Sequence, residues 1–260
     1  MSCKTLGNLQ HPLSQTVLFW MMAYEPQHLK NAPIVEAMIA FDFVVAAGEL
    51  GQIRRSFIEQ IQVEYPAQTP IQKAEITFSL EGSTGKTNEV GSRCVSTDGK
   101  NVCAISEHTF ISSRLHPYEN WESLRSEFQR LWEVFASLGK VQVTKVAVRY
   151  INKILLREGS EIFDSVFTYP KIADGLPQNT FSVFVRLQIA IPEPQGILIV
   201  TEAQLPPEKP QFVAIALDHD LQFPVTEDTP DIWALLERAR ELKNQYFFAS
   251  ISDELMKEYL

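Results

Sequence analysis

Lys145, Arg149 and Lys153 recur every four residues, which sets them on one face of an extended strand. A row of cations on a sheet can hold a phosphate or a carboxylate. Arg149 carries the most weight. A guanidinium does not give up its proton, so when buried it needs a carboxylate, a carbonyl fork or a ligand phosphate. Glu36, Glu202, Asp218 and Asp220 are the candidate partners on neighbouring strands. Tyr150 and Asn152 face the other way, together with Val146, Val148 and Ile154. Residues 145–154 thus form a strand with two unlike faces. Its candidate binding residues are Lys145, Arg149, Tyr150, Asn152 and Lys153. Either an internal salt bridge or an anion strip would account for the cations.

A second constellation is Leu217-Asp218-His219-Asp220. Asp218 and Asp220 share one face of a strand. Two carboxylates two residues apart can hold a divalent cation if further oxygen ligands join them. His219 points to the opposite, apolar face, where an imidazole is more often a hydrogen-bonded core residue than a ligand. Cys94 and Cys103 flank Asp98-Gly99, the preferred two-residue hairpin turn, and fall directly opposite one another. Without another Cys or His nearby they read as reduced, half-buried thiols. The sequence contains no phosphate-binding glycine loop, dinucleotide fingerprint, nucleophile elbow, zinc-protease signature or paired CxxC. His108 and His116 have no Ser or Cys nucleophile at a recognisable spacing. No catalytic residue is assigned and no cofactor is expected.

The elements that must position these groups follow from periodicity. Val35, Ala37, Ile39, Phe41 and Phe43 alternate with Glu36, Met38, Ala40 and Asp42, predicting a strand over residues 34–43. Leu50, Ile53, Phe57, Ile58 and Ile61 then recur at helical spacing, predicting a helix over 48–64. Pro66 and Pro70 end it as a linker. A strand is expected over 74–80, a mobile loop over 83–88, and a hairpin about Asp98-Gly99 that returns to Phe110. Residues 111–115 form a further strand end. Pro117 opens a helix whose stripe runs from Trp121 to Leu138, with Gly139 just beyond it. After the strand at 141–155, residues 156–179 read as irregular with a short helix near 162–167. Strands follow over 181–191, 197–205 and 212–223. Residues 230–260 read as a final helix, with Ser252-Asp253-Glu254 as the start of a separate short C-terminal turn.

The expected fold class is therefore α+β. Two similarly ordered halves, residues 24–140 and 141–260, each carry a curved antiparallel sheet backed by a long amphipathic helix. This order resembles the duplicated arrangement of the TATA-binding protein. Residues 1–23 are read as a non-native or disordered extension, with translation starting at Met21 or Met22. The formal net charge of −9 disfavours a broad nucleic-acid surface, which needs a basic face. Three cysteines make no disulfide framework. No stretch has the length of a membrane span. The expected compartment is the cytoplasm.

Several segments together resemble a known family. They are Asn31-Ala32-Pro33-Ile34-Val35-Glu36-Ala37, Ser96-Thr97-Asp98-Gly99, the run from Phe110 to Trp121, Val148-Arg149-Tyr150-Ile151-Asn152, and the strand through Asp218 and Asp220. The family is a sporadically distributed, uncharacterised group of bacterial and archaeal proteins. The resemblance runs from about Tyr24 to the C-terminus and brings no assigned activity. Its patchy distribution implies an accessory gene of a mobile-element or defence set. The leading expectation is a non-enzymatic module that binds a protein partner. The alternatives are a nucleic-acid or nucleotide binder through the basic face, and a metal-dependent hydrolase around Asp218 and Asp220.

Overall fold

The computed structural model describes residues 29, 31–79, 82–157, 175–176, 182–257 and 259. The fold is α+β. In chain order its elements are β1 (Ile34–Val44), α1 (Leu50–Ile61), β2 (Ala67–Ser79), β3 (Gly82–Val95), β4 (Asn101–Ile105), β5 (Thr109–Leu115) and α2 (Trp121–Ser137). Then come β6 (Gln142–Arg157), β7 (Phe184–Ile191), β8 (Gly196–Leu205), β9 (Phe212–Pro224), α3 (Ile232–Ala249) and α4 (Asp253–Lys257). The strands form one open antiparallel sheet of nine, in the order β2-β3-β4-β5-β1-β6-β9-β8-β7. β1 and β6 pair in its middle, with Ile39 opposite Val148 and Phe41 opposite Val146. One sheet and one core therefore run through residues of both predicted halves. The expected extension at 1–23 and the expected helix near 162–167 lie outside the described residues.

The two-residue period of β1 explains its burial. Ala37, Ile39, Phe41 and Phe43 are buried while the side chains between them are half-buried. The register shifts between Ile34 and Glu36, so Ile34 rather than Val35 joins the buried set. α1, α2 and α3 all pack on this face. Ile53, Phe57 and Ile61 form the buried stripe of α1. Phe57 meets Phe110 of β5 edge to face, with ring centroids 5.6 Å apart. Asn120 caps α2 by accepting the Ser123 N–H, which satisfies one of the helix's orphan donors. Across the helix pair, Trp121 Nε1 donates to Glu237 at 2.9 Å, and Arg125 forms an ion pair with the same carboxylate.

Three expectations are corrected. Of the linker expected at Pro66 and Pro70, Pro66 precedes β2 and Pro70 lies within it, and β2 is at the edge of the sheet. Proline is tolerated in an edge strand, where a missing donor breaks no ladder. The loop expected over 83–88 is part of β3, which pairs with β2 from Ser79–Gly82 to Ala67–Val95 with one register shift between Ile71 and Gln72. Its polar residues from 85 to 88 are exposed. The single return strand to Phe110 is two strands, because a tight turn at residues 106–108 lets β5 fold back onto β4.

Gly91 sits where β3 crosses close to the end of β4. A Cβ there would lie 2.3 Å from the Ile105 carbonyl oxygen, a backbone atom that cannot swing aside. Gly91→Ala is expected to destabilise the fold by about 1–3 kcal/mol. A lowered urea midpoint at unchanged slope is the measurement that checks it.

Candidate functional site

β6 presents its two faces to different surroundings. On the face away from the helices, all three predicted cations meet carboxylates. Lys145 pairs with Asp42 of β1 at 2.7 Å and donates to Gln222 at 3.2 Å. Lys153 pairs with Glu208, in the turn before β9. Arg149 lies directly opposite Asp220, yet it reaches diagonally to Asp218. Its Nε and Nη2 donate to the two oxygens of that carboxylate at 2.9 and 2.7 Å. This fork holds the guanidinium pKa above its usual value. Of the other candidate partners, Glu202 is buried and lies opposite Leu217, on the helix-covered face. Glu36 stands on the same face as Arg149 and adds a longer-range attraction.

Asp218 and Asp220 share a face, as expected, but each is engaged. Asp218 holds Arg149, and Asp220 accepts a hydrogen bond from Gln222 at 2.7 Å. Burial pushes the Asp220 carboxyl upward. Among the described residues, no three His, Cys, Asp or Glu side chains gather as metal ligands would. Removing Arg149 leaves Asp218, with only 11% of its side chain exposed, without its ion-pair partner. Arg149→Met is expected to cost about 1–2 kcal/mol, a figure limited by the half-exposed guanidinium. A double-mutant cycle with Asp218→Asn checks it, and near-additive losses would show that the fork is not coupled.

Cys94 and Cys103 occupy the predicted opposite positions on β3 and β4. Both are free and buried rather than half-buried. Burial raises both thiol pKa values, so neither is a ready thiolate.

The other face of β6 opens on a cleft of about 610 Å³. Its walls come from the chain before β1, the segment leading into α2, and the second half of α3. Tyr150 and Asn152 form its floor from β6. The Tyr150 hydroxyl lies 2.8 Å from that of Tyr118. Burial raises the pKa of both phenols, that of Tyr118 to about 12. Asn152 is held by donating to the Leu217 carbonyl at 3.2 Å. Lys243 of α3 enters from above. Its Nζ sits 3.7 Å from the centre of the Tyr150 ring and donates to Asn244 Oδ1. Burial pushes its pKa down to about 7, with Arg240 on the same helix adding to the effect.

His219 lies beside this group, fully buried, as a core histidine. The Ser250 hydroxyl donates to the Tyr246 carbonyl at 2.8 Å, so its oxygen accepts from His219 Nε2–H at 2.9 Å. The proton is then on Nε2. Nδ1 has no hydrogen-bond partner among the described residues. Burial first, and Lys243 second, push this imidazole down to about 4.

Strand alternation sets Tyr150 and Asn152 together on this face, while Lys243, Tyr118 and Asn244 lie outside the residues that the sequence reading names as candidates. One signal was available. Leu236, Ala239, Lys243 and Phe247 follow one helical stripe, and a lysine on an otherwise apolar stripe is a buried charge. No helix among the described residues is long and apolar enough to cross a membrane. The chain matches no protein-family model and no curated protein.

Proposed function

We propose that the chain is a non-enzymatic interaction module of the cytoplasm that binds a protein partner. It would be an accessory-gene product of the sporadically distributed family it resembles. Its architecture is two similarly ordered α+β halves in the manner of the TATA-binding protein. The strand order supports this reading. β1 and β6, the opening strands of the two runs, lie side by side, and each pairs on its other side with the last strand of its own run, β5 or β9. Each run ends in a long helix, α2 or α3.

The observation that carries the binding role is strand β7. It ends the sheet and pairs with β8 alone among the described strands. Phe184, Leu187 and Ile189 on it, and Ile197 beside it on β8, are all exposed. A free strand edge offers unpaired backbone groups, and apolar side chains flanking it supply the rest of a strand-addition site. Folded proteins usually blunt such an edge with charge. The basic-strip alternative has less support, since Lys145, Arg149 and Lys153 each face a carboxylate that phosphate would have to displace.

The test is affinity capture from the native host with the wild-type chain and a Leu187→Lys/Ile189→Lys double variant. Wild type is expected to retain a stoichiometric protein partner, and the variant to lose it while keeping its circular dichroism and melting temperature. A wild-type chain that remains monomeric and partnerless at native abundance, or a variant that retains the partner, defeats the reading.

A further inference from the structure

We propose that the cleft between β6, the start of α2 and the second half of α3 binds a small organic acid, its carboxylate seated against the Lys243 ammonium. This goes beyond partner binding through β7 and uses none of its residues.

The first argument is an unmet charge. Lys243 is 9% exposed, and among the described residues no carboxylate lies within ion-pair distance of it. Among the described residues its ammonium contacts one amide oxygen and one ring face. An ammonium has three N–H groups, so these leave one unspent at the cleft it lines. A buried cation is costly without an anion. The lowered lysine pKa is the same fact seen from the proton's side.

The second is that the nearby carboxylates are already committed. Arg114 holds Glu119, and Glu122 faces Arg240 at 3.6 Å. Neither neutralises Lys243, and both stand at the cleft wall, where they would repel a multiply charged anion. A single negative charge fits this balance better than a phosphate dianion. The N-terminus of α2 also lines the cleft and adds a weak positive end.

The third is the remaining lining. In the Tyr118–Tyr150 pair one hydroxyl proton spans the two oxygens, and the other is left to donate. Pro117, Phe247 and Phe248 supply apolar wall for a carbon body. The cleft volume lies within the range of small-molecule sites, which combine apolar walls with a few convergent polar groups.

The experiment titrates the full chain by calorimetry with benzoate, butyrate and pyruvate, their neutral amides, and inorganic phosphate, each up to about 10 mM. At least one carboxylate is expected to bind at least about tenfold tighter than its amide and than phosphate. Its affinity should fall as pH rises above 7, where Lys243 gives up its proton. Lys243→Met should remove the binding, and Lys243→Arg should retain part of it. Because the Met variant is expected to be the more stable protein, its loss of binding would not be a folding defect. The proposal is overturned if no carboxylate binds, if amide or phosphate binds as tightly, or if Lys243→Met binds like wild type. None of these outcomes bears on capture of a partner by β7.

Discussion

Lys243→Met is expected to stabilise the protein at pH 7, by about 1–4 kcal/mol. Burial holds the ammonium in a site whose only polar partner among the described residues is an amide oxygen, with a tyrosine face beneath it. A fall from 10.5 to about 7 in its pKa corresponds to roughly 4–5 kcal/mol at about 1.4 kcal/mol per pH unit. Methionine has a similar length, fills the same space and needs no counter-ion. Chemical denaturation of both chains measures the difference. A variant less stable than wild type at pH 7 would mean that the ammonium is worth more to the fold than its burial costs.

The sign of the pH dependence follows from the direction of the shift. The folded lysine pKa lies below the unfolded one. Between about 7 and 10, the unfolded chain holds a proton that the folded chain has released, so stability rises with pH across that window. Below 7 both states are charged and the full penalty applies. Above about 8.5 the buried thiols act in reverse, because the unfolded chain releases their protons first. The span from pH 7 to 8.5 therefore belongs mainly to Lys243, and a gain of about 1–2 kcal/mol is expected there. It should vanish in the Met variant. On the acid side, His219 is depressed to about 4, so stability should fall as pH drops from about 6.5 towards 4. Lys243→Met should soften that fall too, since Lys243 is one cause of the depression. A residue that weakens the fold yet lines a cleft is what a site that trades stability for binding would hold.

Phe41→Ala is expected to destabilise the chain by about 3–5 kcal/mol. Phe41 is fully buried in the central strand β1. Its ring meets Phe128 and Trp132 of α2 at 4.7 and 5.0 Å, and Trp233 of α3 at 5.6 Å. Truncation would remove a ring against which both long helices rest and leave a cavity between them. The urea midpoint should fall at unchanged slope, and the near-ultraviolet signal of the tryptophans should change with it. A loss below about 1 kcal/mol would show that the helices pack on β1 independently of this ring.

The sequence by itself determined the class of each strongly patterned element, and it did so where one face is buried. β1, α1, α2 and β9 were legible because apolar residues recur at 2.0 or 3.6 positions. The hairpin at Asp98-Gly99 was legible to the register, because a two-residue turn pairs Cys94 with Cys103 and leaves no alternative. Periodicity also separated Arg149 from Tyr150, since adjacent strand residues point to opposite faces. It did not reveal β3 over residues 83–88, where the sequence is polar and carries no period; residues 85–88 are all exposed. Nor did it choose Asp218 over Asp220 for Arg149. That choice depends on a diagonal reach across β6 and β9, which only their register defines.

The cleft belongs wholly to the tertiary structure. Tyr118, Tyr150 and Lys243 come from a loop, a strand and a helix, and no local pattern links them. They meet because α3 lies across β6 and because the start of α2 closes one side. A pattern along the chain reports which residues avoid water. Which charge is left without a counter-ion depends on what the fold brings near it.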